Sequence, residues 1–215
     1  MQKYKIYIIG FLVLFLFGGV MFLYNANSPS STEDGKNENK DNGIDAVVVP
    51  ADVSNSIDSV PIPDLDRPVV IPEGMNSESA TQAKQKIAEL IDTLKSDSAL
   101  VDHWLELGTY RKLIEDYKGA EEIWSYVAFI QPDDARVFNN LSNLYIYHFH
   151  DNQKGEEYIL KAIEKAPTNP QYYAAAVELY VDILGDKASA RELLQGAITN
   201  HPTISAVLQS MLDAI

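Results

Sequence analysis

Apolar residues are distributed along this chain in three different ways. From Ile6 to Tyr24 they run on with no charged residue among them. As a helix rising 1.5 Å per residue, that stretch covers roughly 28 Å, close to the thickness of a bilayer's hydrocarbon core. It has no polar face of the kind a buried helix of a water-soluble domain would show. The pattern predicts a transmembrane helix within residues 1–24. From 25 to 79 the apolar residues retreat to short clusters separated by prolines. From 80 to 215 they recur at three- and four-residue spacing, the signature of amphipathic helices.

The first segment reads as an uncleaved anchor. A signal peptide carries an apolar core of about 7–15 residues and a small-x-small cleavage site; here the run is longer, and Tyr24 sits where a small residue would be needed. Tyr4, Tyr7 and Tyr24 flank the run, where amphipathic rings favour the interface. Lys3 and Lys5 precede it and Glu33 and Asp34 follow. The positive-inside rule then predicts a single-pass protein with its N-terminus in the cytoplasm and the remainder outside.

Residues 25–79 are acidic and rich in Asn, Ser and Pro, and predict a flexible linker. Their early part, SPSSTEDGKNENKDNG, has nothing apolar to bury. Later clusters of valine and isoleucine are broken by Pro50, Pro61, Pro63, Pro68 and Pro72, which remove backbone donors and keep their predecessors extended. Two readings stand. The clusters belong to a stalk, or the stretch from Val60 to Met75 is an extended strip lying on the folded domain.

The third segment is internally periodic. Pro132, Pro167 and Pro202 are spaced by 35 residues. In register with them stand Ala120, Gly155 and Ala190, then Trp124, Ile159 and Leu194, then Val127, Ala162 and Ala197. Each proline closes a predicted helix. Upstream of each lies a second helical pattern opened by Trp104, Phe138 or Tyr173, continued by Leu107 with Gly108, Leu141 with Ser142, and Ala176 with Val177. Tyr145 and Tyr180 complete the later two. The unit is helix, turn, helix.

These columns resemble the tetratricopeptide repeat. Its W-x2-L-G-x2-Y opening is matched by Trp104, Leu107 and Gly108, with Tyr110 one place early and Arg111 in the expected slot. Its later alanine and aromatic are matched by Ala120 and Trp124, and its closing proline by Pro132. The resemblance implies an all-α fold: a short solenoid of about three repeats over residues 101–202, with capping helices on either side. The family period is 34, so the extra residue is expected in the turns near Asp151–Lys154 and Gly185–Lys187. A stripe of Ala83, Ile87, Leu90, Ile91 and Leu94 predicts an N-terminal cap, and residues 204–215 a C-terminal one. Caps matter because a single repeat cannot bury its own apolar face.

Composition narrows the function. The net charge of −14 disfavours nucleic acid. The absence of cysteine removes disulfides, thiolate metal sites and cysteine nucleophiles. His148 and His150 are two apart on a predicted helix and diverge, so no metal is expected. No phosphate-binding, metalloprotease or nucleophile-elbow motif is present. The expectation is a protein that is not an enzyme and needs no cofactor. The resemblance instead implies a peptide groove lined by the first helix of each repeat. Its candidates are Thr109 and Lys112, then Arg136, Asn139, Asn140 and Asn143, then Gln171 and Glu178. Asparagine offers both a donor and an acceptor to a peptide backbone. Leu105, Gln171 and Ala175 stand where the family's dicarboxylate clamp would need basic residues, so acidic C-terminal tails are disfavoured. A membrane-anchored scaffold binding a protein or peptide is therefore expected. The alternative is a structural or self-associating envelope component using the outer face or the end helix.

Overall fold

Six carboxylates and amides start the helices and three recurring C-caps stop them. In the computed structural model, which describes residues 60–215, the side chains of Asn76, Asp116, Asp134, Asp151, Asn169 and Asp186 each accept a hydrogen bond from a backbone N–H in the first turn of the helix they precede. Such caps satisfy donors that the helix itself cannot. At the other end the N–H groups of Gln131, Ala166 and His201 donate to the carbonyls of Val127, Ala162 and Ala197 at 2.8, 3.0 and 2.8 Å. A proline follows each, which forbids continuation.

The described residues form eight α-helices and no strand. They are α1 Ser77–Ser96, α2 Val101–Leu113, α3 Tyr117–Ile130, α4 Ala135–Leu144, α5 Asn152–Lys165, α6 Pro170–Glu178, α7 Lys187–Asn200 and α8 Ser205–Asp213. Two of them, α4 and α6, run on into single π-helical turns, Tyr145–Phe149 and Leu179–Ile183. None of these helices is long and apolar enough to cross a membrane. The predicted span from Ile6 to Tyr24 lies outside the described residues, as does the first part of the linker.

The packing explains why certain positions are small. The Trp124 side chain is 1% exposed and its Nε1–H donates to the Leu105 carbonyl at 3.2 Å. A Cβ at Gly108 would sit 2.3 Å from that nitrogen, so α2 and α3 approach this closely only through glycine. Trp104 is fully buried, meets Tyr126 edge-on and donates to the Ser98 carbonyl at 2.9 Å. Between α4 and α5 the small residue is Ser142, whose hydroxyl donates to the Gly155 carbonyl at 2.8 Å. Phe138, Tyr145, Tyr173 and Tyr180 are all buried, and so are Leu107, Ala120 and Ala190. Pro132 and Pro202 are exposed, in keeping with helix-ending positions.

The π-turns hold the extra residue of the 35-residue period. The capping Asp116 N–H donates to Arg111, five residues back, whereas those of Asp151 and Asp186 donate to Tyr145 and Tyr180, six residues back. The insertion therefore lies inside the ends of the first helices, just before the turns where the sequence suggested it. The same comparison puts Arg111 in the structural slot of Tyr145 and Tyr180.

Residues 60–76, which fall in the segment expected to be linker, lie on the helices. The first helix begins at Ser77, three residues before the expected domain boundary. Along the strip, Pro63, Leu65, Arg67, Val69 and Ile71 are half-buried while Asp64, Asp66, Pro68 and Val70 are exposed. This alternation is that of an extended chain with one face covered. Arg111, 1% exposed, donates to the carbonyls of Arg67 and Pro68 at 2.8 Å each. Arg67 grips Asp116 through two bonds of 2.8 Å and Glu122 through one of 3.0 Å. Lys95 of α1 reaches Asp66 at 2.6 Å.

Candidate functional site

Single side-chain contacts link α2 to α4 and the π-turn after α4 to α6. Asp102 of α2 pairs with Arg136 of α4 at 2.8 Å. Tyr147, in the π-turn after α4, donates to Glu178 of α6 at 2.6 Å. The candidate groove residues are distributed over α2, α4 and α6, and of them Arg136 and Glu178 take part in these contacts.

Their chemistry is unequal. Arg136 is committed to Asp134 and Asp102, and the Asp134 hydrogen bond, followed by that of Asp102, raises its pKa against the opposing effect of burial. Asn143 spends an amide N–H on the Asn139 carbonyl at 2.8 Å, an i−4 bond within its own helix. Thr109 does the same with the Leu105 carbonyl at 3.0 Å. Glu178 accepts from Tyr147, whose hydroxyl is pushed up to about 12 by burial and that carboxylate. Asn139 and Asn140 are half-exposed and Gln171 is exposed. Leu105, aligned to the same face, is 8% exposed and belongs to the core.

Lys112 is half-buried with its Nζ 5.8 Å from the centre of the Trp124 ring, and burial lowers its pKa. Nearby, His148 stacks on Tyr117 with ring centres 4.0 Å apart. Burial, with the charges of Lys112 and His150, lowers the His148 pKa from its ordinary 6.5. A stack between residues 31 apart left no local signal in the sequence. Arg111 was more legible, standing out as a cation in an otherwise aromatic slot.

A hollow of about 390 Å³ is lined by Asp102, Asp134 and Arg136, and two others lie away from the candidate residues. One of about 620 Å³ follows the strip between Asp64, Val70, Ile114 and Glu115. Another of about 390 Å³ runs between α3 and α5, floored by Ala128, Phe138, Leu141 and Tyr158 and edged by Phe129. Among the described residues no cluster of His, Asp and Glu has the geometry to hold a metal ion. Compared with models of protein families, the chain matches none. Compared with curated proteins, it matches none either.

Proposed function

We propose that this chain is a membrane-anchored interaction scaffold, a short tetratricopeptide-like solenoid that binds a protein or peptide on the face of α2, α4 and α6. The observation that carries the reading is the pair of side-chain bridges that link α2, α4 and α6, Asp102–Arg136 and Tyr147–Glu178. The recurrence of caps and of buried aromatic positions at 35 residues supports a repeating unit. Tyr145 donates to Glu121 and Tyr180 to Glu156, the same contact one period apart. Bound backbone would be read by Asn139, Asn140 and Gln171, whose amides keep most of their hydrogen-bonding capacity. The anchor from Ile6 to Tyr24 would hold this face near the outer membrane surface.

The rival reading, self-assembly through the outer face or the end helix, has one observation in its favour. Ile183, Leu184 and Val207 are 38, 41 and 47% exposed near the C-terminal end. Affinity capture with the full-length protein separates the two. Capture of a partner lost on Asn140→Ala with Gln171→Ala supports the groove. Capture indifferent to both, but lost on Val207→Asp together with self-association, supports assembly.

A further inference from the structure

A cation taken partly out of water needs a counter-charge. Among the described residues most lysines and arginines have one, Arg67, Lys95 and Lys165 for example. Of those that pair with no carboxylate, Lys84, Lys154, Lys187 and Arg191 are exposed and keep their hydration. Lys112 is half-buried, and its ammonium sits over the Trp124 ring, 5.8 Å from the centre, with no carboxylate in ion-pair contact. Burial lowers its pKa and no described group offsets that shift. Lys112 stands in the last turn of α2. Close by is His148, half-buried in the π-turn after α4 and stacked on Tyr117, the first residue of α3. It is near enough for the Lys112 charge to disfavour its protonation, and no described residue hydrogen-bonds its ring nitrogens. The turn that places it is the insertion that lengthens the repeat, and single π-turns recur at functional sites.

We propose that Lys112 and His148 form a subsite for one carboxylate side chain, an aspartate or glutamate of the protein or peptide that the chain binds. The inference rests on the groove reading given above and names one chemical requirement of that partner. The ammonium supplies a charge and donors, and the neutral imidazole a second N–H. Charge balance selects the ligand. A single ammonium beside a neutral ring, with the exposed Glu115 carboxylate near enough to act on His148, matches one negative charge. A phosphoryl group carries about −1.5 to −2, more than the subsite balances, and it would be repelled by Glu115. An acidic run would meet the net charge of −14, whereas a single acid engages only the local cation. A clamp for paired terminal carboxylates is a different arrangement, and Leu105, Gln171 and Ala175 stand where its cations would be.

Selection from a library of displayed random peptides against the full-length protein in detergent micelles tests this. The expected result is enrichment of peptides that share one Asp or Glu. Lys112→Gln should then weaken the tightest of them at least about tenfold, as expected for the loss of one charged hydrogen bond. The same peptide with that acid changed to its amide should lose less than about twofold, because the two changes remove one shared contact. Enriched peptides with no shared acid, or an acid whose contribution survives Lys112→Gln, overturn the subsite and leave the groove standing. No enrichment at all overturns the groove reading and the subsite with it. Thermal melting separates a ligand-binding lysine from a structural one. The fold leaves this ammonium half-buried and unpaired, so Lys112→Gln should melt no lower than the unmodified protein. A clear fall in Tm would assign Lys112 to the packing of Trp124 and overturn the proposal.

Discussion

Single side chains set how closely the helices approach. Gly108 exists to admit the Trp124 indole, and the indole fills the space that glycine leaves. Because the tryptophan is 1% exposed, Trp124→Ala creates a cavity as well as removing contacts. The expected loss is about 3–5 kcal/mol in denaturant unfolding, and a loss under about 1 kcal/mol would contradict the packing described. The matched pairs also explain why a residue's class at the periodic positions was legible: buried Trp104, Phe138 and Tyr173 are large apolar positions that recur with the repeat. Arg111 shows what sequence alone conveys poorly. Its guanidinium replaces a tyrosine and binds carbonyls of residues more than 40 positions away. Burial lowers its pKa, and Asp116 opposes that shift only in part.

At the scale of elements, the strip behaves as part of the helical domain, fastened by an ion-pair cluster centred on Asp116. Burial pushes the Asp116 carboxyl up, but hydrogen bonds from Arg67 and the Gly119 N–H, with two guanidinium charges, outweigh it and hold its pKa below 3.8. A carboxylate depressed in the folded state contributes stability above its unfolded pKa, lost as pH falls through the folded value. Arg67→Met should therefore melt lower than the unmodified protein at pH 7, by about 3–6 °C for a loss of about 1–2 kcal/mol in a domain of this size. The difference should shrink as pH falls below 3.8. Thermal melts at neutral and acid pH check both, and equal melting at pH 7 would mean that apolar contacts alone hold the strip. The half-burial of Leu65, Val69 and Ile71 was foreshadowed by their composition. The polar partners of the strip could not be read from the linker sequence, because Lys95, Arg111, Asp116 and Glu122 lie far along the chain.

For the molecule as a whole, the proposed anchor from Ile6 to Tyr24 and the lysines before it lead to an expected topology. Protease added to intact cells or spheroplasts should degrade residues 60–215, whereas protection until lysis would reverse the orientation. What the sequence determined by itself is local or periodic: stops before three prolines, amphipathic faces, and small residues at helix crossings. These are legible because the interacting groups lie within a few residues, or recur at a fixed interval. Only the tertiary structure decided the rest. It turned the extra residue of each period into π-turns, put His148 on Tyr117, committed Arg136 to two carboxylates, and fastened residues 60–76 beneath Arg111. Each of those outcomes depends on which distant side chain arrives at a given spot, and spacing along one chain carries no record of that.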